Sequence, residues 1–149
     1  MKPLRLVPPL WFLLALALMF TLHRGLPLVQ LVHAPWHWFG LLLVVPAVAL
    51  GGRGARALAR RQTTLHPFGE PTALVTDGPY RLSRNPLYLS LVLVLTAAAW
   101  FLGSLTPFLV VPAFMAVITV LFIRREEAAL TAAFGEPFRE YCRTVRRWL

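Results

Sequence analysis

The sequence predicts an all-α integral membrane protein: four transmembrane helices, a cytoplasmic connector and an amphipathic C-terminal helical tail. Three observations lead there. Hydrophobic residues make up 58% of the 149 positions and charged residues 14%, against roughly 45–50% and about 25% in an ordinary soluble domain. The apolar residues gather into four runs without a charge. Threaded through a bilayer, those runs leave all but one of the lysines and arginines on one side. The apolar content excludes a disordered chain, and the length suits one membrane domain over residues 1–149.

The first run covers residues 8–22, behind Lys2 and Arg5. A basic start and an apolar stretch also describe a signal peptide. His23-Arg24 follows the run in place of a small-x-small cleavage site, so the expectation is a retained helix. The second run covers residues 36–50 and the third residues 87–102. The fourth, residues 105–123, has the length of about 20 residues that a full crossing needs; tilt or local thinning accommodates the shorter ones. Only Gly103-Ser104 separates the third run from the fourth, which predicts a tight antiparallel hairpin. Pro107 suits a first helical turn, whereas Pro46 and Pro112 predict kinks.

Orientation follows from the charges. Arg24 is alone on one side of the threaded chain; the other fourteen basic residues and all six acids share the opposite side. Basic residues collect on the cytoplasmic side of membrane helices, so both termini are expected in the cytoplasm, together with the polar chemistry. The same rule accounts for the net charge of +9, and no nucleic-acid partner is expected. One cysteine, Cys142, excludes an intrachain disulfide and a cysteine metal cluster. His33 and His37 read as part of an interfacial aromatic belt, and no metal is expected. Gly51, Gly52 and Gly54 lack the spacing of a phosphate loop and read as a helix end.

The connector, residues 51–85, is rich in Gly, Pro, Thr and Arg, and its Arg53–Arg61 part reads as a helix end at the interface. The tail, residues 124–149, continues as helix, is punctuated by Gly135, and restarts with Pro137 in a first turn.

Chemistry concentrates in two places. Asp77-Gly78-Pro79-Tyr80-Arg81-Leu82-Ser83-Arg84-Asn85-Pro86-Leu87-Tyr88 stands where the connector enters the third run. Gly78-Pro79 makes a turn. Asn85-Pro86 makes a helix start, whose backbone N–H groups are expected to be free for an anion. Arg81 and Arg84 supply guanidinium forks, although snorkelling arginines beside a helix cap account for the same residues. Arg124-Arg125-Glu126-Glu127 ends the fourth run, which the hairpin returns to the same face. Neighbouring helical residues diverge by about 100°, so the two glutamates are expected to serve different partners, one in the site and one with an arginine or water. A surface ion-pair cluster is the plainer reading.

These two segments resemble the isoprenylcysteine carboxyl methyltransferase family and the related membrane phospholipid methyltransferases. The resemblance runs through Leu74-Val75-Thr76-Asp77-Gly78-Pro79-Tyr80-Arg81, Ser83-Arg84-Asn85-Pro86-Leu87-Tyr88, Glu126-Glu127, Phe134-Gly135, Tyr141 and Val145-Arg146-Arg147. Thr63-Thr64-Leu65-His66-Pro67 is similar to the small bacterial members. Many relatives have histidine where this chain has Asn85, and asparagine carries no proton.

The resemblance implies S-adenosylmethionine as methyl donor, a lipophilic acceptor arriving through the bilayer, membrane lipids as surroundings, and a bacterial inner membrane. Arg84, Glu126 and Glu127 are the expected catalytic residues. The expected donor-binding set is His66, Gly78, Pro79, Tyr80, Arg84, Asn85, Pro86, Tyr88, Glu127, Tyr141 and Arg143, and the tail residues Tyr141, Arg143 and Arg147 could close over the bound donor. A nicotinamide-dependent membrane reductase of the sterol-reductase kind and a non-catalytic membrane scaffold are the alternatives.

Overall fold

The computed structural model describes residues 7–62 and 71–149. Among them the chain is helical, with no strand beyond an isolated bridge between Gln30 and Ser104. The helices are α1 (Pro8–Gly25), α2 (Val44–Arg60), α3 (Pro86–Leu102), α4 (Leu105–Ile118), α5 (Arg124–Phe134) and α6 (Glu136–Thr144). A 3₁₀ segment, Trp36–Leu43, leads into α2, a 3₁₀ turn spans Gly78–Arg81, and a π-helical segment, Thr119–Ile123, joins α4 to α5. Two continuous helical runs, Trp36–Arg60 and Leu105–Phe134, are long and apolar enough to cross a membrane, and Pro86–Leu102 is a shorter apolar helix.

The described residues form two units, Met1–Pro46 with Leu91–Ile118 and Ala47–Ser90 with Thr119–Leu149. In the first unit α1 packs against α4. The buried stripe of α1 is Pro8, Ala15 and Met19; that of α4 includes Val110, Phe114 and Ile118. Each repeats at the helical period that puts side chains on one face. The exposed side chains of this unit include Leu13, Leu18 and Phe20 on α1, Leu109 on α4, and Trp36 and Trp38 in the 3₁₀ segment, an apolar surface suited to lipid. His37 lies against Trp38 and Phe101, with ring centroids 5.0 and 5.4 Å away.

The α3–α4 turn depends on Gly103, at φ +75°. A Cβ there would stand 2.3 Å from the Val32 carbonyl oxygen. That close approach lets the Leu31 and Val32 amides donate to the Gly103 carbonyl, at 2.7 and 3.0 Å. Ser104, fully buried beside it, shares a 2.7 Å hydrogen bond with the His23 ring.

The second unit is built around Val75, Tyr80, Phe138 and Tyr141, with Ala57, Leu58, Leu130, Phe134 and Val145 packed against them. Burial of such side chains contributes about 1.5–3 kcal/mol each. The second run extends past Leu50: α2 continues to Arg60, so the first part of the connector is the helix end that its residues suggest. Glycine there does not stop the helix, because it admits a neighbour. A Cβ on Gly51 would stand 2.8 Å from Ser90 Oγ, and Gly54 lies against Pro86 and Leu87. The first run also extends further than residues 8–22, to Gly25.

Candidate functional site

The residues around the start of α3 and the start of α5 lie in the second unit and touch one another. The chain approaches α3 through Asp77, in extended conformation, and Gly78, at φ +58°. Pro79 then begins a 3₁₀ turn whose carbonyl accepts from the Leu82 and Ser83 amides, at 3.1 and 3.3 Å. This turn buries Tyr80 and delivers Ser83, Arg84 and Asn85 to the helix start. Pro86 takes the first helical position, where its missing N–H costs nothing.

On the facing element, α5 emerges from the π-helical segment. One added residue in a turn rotates the remainder of the helix by about 100°, and Glu126 and Glu127 come out of it toward different neighbours. The Tyr88 hydroxyl donates to the Glu126 carboxylate. Glu127 meets two guanidiniums. Arg147 takes both of its oxygens, Nε to Oε1 at 3.0 Å and Nη2 to Oε2 at 2.7 Å. Arg84 Nη2 stands 3.4 Å from Oε1, with the Arg84 side chain only 14% exposed. A two-pronged fork of this kind is among the stronger ion-pair geometries. Arg84 Nη1 donates to Cys142 Sγ, and Arg84 Nε is buried with no acceptor among the described residues.

Below this pair lie the two tyrosines. The Tyr141 hydroxyl donates to the Tyr80 carbonyl at 2.6 Å. Burial, then proximity to Tyr141 and to Glu126, holds the Tyr80 phenol above its ordinary range. Burial raises Tyr141 as well, partly opposed by Arg84. Burial therefore favours the neutral form of both phenols. The hydrogen bonds to Glu127, ahead of the opposing effect of burial, hold the Arg147 guanidinium even more firmly protonated than usual.

The two amides just before the helix are spent within the chain. The Arg84 amide donates to the Arg146 carbonyl at 3.0 Å and the Asn85 amide to Ser83 Oγ at 3.1 Å. Asn85 Nδ2 donates to the Arg147 carbonyl at 3.0 Å. The chain itself fills these donors.

Of the expected residues, Tyr80, Arg84, Asn85, Pro86, Tyr88, Glu126, Glu127 and Tyr141 come together, with Gly78 and Pro79 forming the turn that brings them in. Arg143 does not join them: it is exposed on α6 and pairs with Glu136 and Glu140, at 3.3 and 2.7 Å. The inward stripe of α6 is Phe138, Tyr141 and Cys142, and Arg143 falls outside it. His66 lies outside the described residues. Cys142, which the sequence reading did not place in the site, is the partner of Arg84; its place in that stripe was the available signal. Ser83 belongs to the motif but was given no role.

The profile of the phospholipid methyltransferase family matches residues 35–137. The chain belongs to this family. The matched stretch contains Arg84, Tyr88, Glu126 and Glu127; Tyr141 and Arg147 lie beyond it. Membership implies methyl transfer to membrane lipid-like substrates.

Two curated relatives share sequence with it. An uncharacterized protein of Haemophilus influenzae is 44% identical over 63 residues, which is 42% of this chain and the whole of that protein. The cobalt-zinc-cadmium resistance protein CzcN of Cupriavidus metallidurans is 34% identical over 118 residues, or 74% of this chain and 51% of that protein. The aligned stretch thus spans about half the length of the second relative. No solved structure matches the chain.

Proposed function

We propose that this family member transfers a methyl group from S-adenosylmethionine to a lipophilic acceptor at the cytoplasmic face of a bacterial inner membrane. The observation that carries the reading is the meeting of Arg84 with Glu127 at the starts of α3 and α5, inside the stretch that matches the family.

The residues present fit the donor. Its carboxylate needs a cation with an unspent donor, and Arg84 Nε is a buried N–H without an acceptor among the described residues. An unsatisfied buried donor costs about 1–3 kcal/mol, which a ligand oxygen would recover. Two guanidiniums share the Glu127 charge, so the trio carries a net positive charge toward an anion. The ammonium and ribose hydroxyls need a carboxylate. Glu126 has Tyr88 as its hydrogen-bond partner and no cation paired with it among the described residues. Tyr80 and Tyr141 supply aromatic faces, which favour a sulfonium.

When bound, S-adenosylmethionine supplies a methyl group already activated by its positive sulfur. The work left to the chain is alignment and exclusion of water. Arg84 and Glu126 orient from two elements, and the buried cluster of Tyr80, Phe138 and Tyr141 closes one side. An ionised carboxylate acceptor requires no base, whereas an amine or thiol must lose a proton. Glu126, the glutamate without an arginine, is then the acceptor of that proton. The charge distribution supports four crossings with both termini cytoplasmic, which lets a greasy acceptor arrive laterally and the donor from the cytosol.

The test is incubation of proteoliposomes with radiolabelled methyl donor and a panel of lipidic carboxylates, amines and thiols. A labelled lipid is the expected product. Calorimetry should show donor binding that Arg84→Ala and Glu127→Ala each weaken strongly. Unaltered affinity in both variants, or no label on any acceptor and no donor binding, overturns the proposal.

A further inference from the structure

The residues after α6 reach back to the site. Val145 leaves the helix in an extended conformation, φ −122° and ψ 132°. The next two carbonyls then face the loop before α3. Arg146 accepts from the Arg84 amide at 3.0 Å. Arg147 accepts from Ser83 Oγ at 3.2 Å and from Asn85 Nδ2 at 3.0 Å. The Arg147 side chain meanwhile holds both oxygens of Glu127. One residue therefore grips the approach to α3 through its backbone and the first turn of α5 through its guanidinium.

We propose that Arg147 is a positioning residue for the donor site, and that residues 145–147 are a strap fastened by it across the start of α3. The inference rests on the reading of Arg84 and Glu127 as donor-binding groups.

The argument is one of charge and geometry. Glu127 is a single carboxylate between two guanidiniums. Arg147 takes the tight two-pronged contact and leaves Arg84 in the looser one at 3.4 Å. Arg84 thus keeps positive charge to offer a ligand. Without the Arg147 side chain, Glu127 and Arg84 neutralise each other. Arg84 is then drawn from Cys142 toward the carboxylate, and the net positive charge disappears. The side chain and the carbonyl of Arg147 are separable, because a substitution removes the fork and leaves the backbone contacts to Ser83 and Asn85.

Cys142 is the only cysteine in the chain and receives a hydrogen bond from Arg84. Its thiol reports on whether Arg84 is in place, independently of any donor.

The experiment uses the full chain in lipid nanodiscs and measures three quantities: affinity for S-adenosylmethionine by calorimetry, the rate of Cys142 alkylation by a maleimide, and thermal unfolding. Arg147→Met is expected to weaken affinity about ten- to a hundredfold, to slow alkylation, because a neighbouring guanidinium favours the reactive thiolate, and to leave unfolding little changed. Arg147→Lys keeps the charge without the fork and should recover part of the affinity and part of the alkylation rate. Arg139→Ala, on the exposed side of α6, should match the wild type in every measurement. If Arg147→Met does not fold, Arg147→Lys carries the test by the same two readouts. An alkylation rate and a donor affinity equal to wild type in the Arg147 variants overturn the strap. A wild type that binds no S-adenosylmethionine overturns the functional reading, and the alkylation rates then still decide whether Arg147 fastens Arg84.

Discussion

The hydroxyl of Tyr88, in the first turn of α3, donates a hydrogen bond to the carboxylate of Glu126, in the first turn of α5. The bond ties together two helix starts that lie far apart in sequence. It also separates the duties of the adjacent glutamates, since Glu127 is engaged by arginines and Glu126 by a neutral phenol. Tyr88→Phe keeps the ring and removes only the donor. A hydrogen bond to a charged group contributes about 1.5–3 kcal/mol to stability, so Tyr88→Phe should unfold more easily by that order, and with Glu126 no longer oriented methyl transfer should slow by about tenfold or more. Radiolabel incorporation at saturating donor checks this; a Tyr88→Phe variant with the wild-type rate sinks the role given to Glu126.

Arg84 divides its guanidinium among several directions: Nη1 to Cys142, Nη2 to Glu127, and Nε left without an acceptor among the described residues. A lysine ammonium is a compact charge and cannot span that fork. Arg84→Lys should therefore lose about tenfold or more in donor affinity despite conserving the charge. Calorimetry with S-adenosylmethionine measures it. Equal affinity in Arg84→Lys would show that charge alone suffices there.

Two glycine substitutions should move stability in opposite directions. Gly103→Ala places a Cβ 2.3 Å from a backbone carbonyl at a residue with φ +75°. The left-handed conformation alone costs roughly 1–2 kcal/mol, and the backbone collision adds to it. Gly52 lies within α2 with open space around it, so Gly52→Ala should stabilise by up to about 1 kcal/mol. Thermal unfolding in detergent should rank Gly52→Ala, wild type and Gly103→Ala in that order. A Gly103→Ala variant as stable as wild type would contradict the α3–α4 turn.

Much of the helical layout can be read from local chemistry. Asn85-Pro86 and Gly103-Ser104 bracket α3, and Gly135 with Pro137 divides α5 from α6, because capping and left-handed backbone have residue-specific causes. Gly51, Gly52 and Gly54 were readable as part of a helix end, whereas the approach of Ser90 to Gly51 and of Pro86 and Leu87 to Gly54 was not legible, being a tertiary contact. The π-helical segment at Thr119–Ile123 has no composition of its own. Within the candidate site, the grouping of Arg84 with Glu127 followed from the hairpin. The contacts of the Arg146 and Arg147 carbonyls with Ser83, Arg84 and Asn85 did not, since backbone acceptors carry no sequence signature. Arg143 was distinguishable from its neighbours by helical period alone, as Phe138, Tyr141 and Cys142 define the inward stripe of α6.

The buried phenols give a pH dependence with a definite sign. Tyr141 donates to the Tyr80 carbonyl at 2.6 Å, and burial raises both phenols above their ordinary value near 10. The folded state therefore keeps protons that the unfolded chain releases. The stabilisation is fully present below the unfolded value and is lost as pH rises from about 10 toward the folded one. Each such group contributes a slope of about 1.4 kcal/mol per pH unit across that window. Tyr141→Phe removes one group and one hydrogen bond. It should be less stable than wild type at pH 7 by about 1 kcal/mol and lose stability less steeply above about pH 10. Unfolding followed from pH 7 upward in both proteins makes the comparison. Parallel alkaline slopes would mean that the Tyr141 hydroxyl is as free to ionise in the folded chain as in the unfolded one.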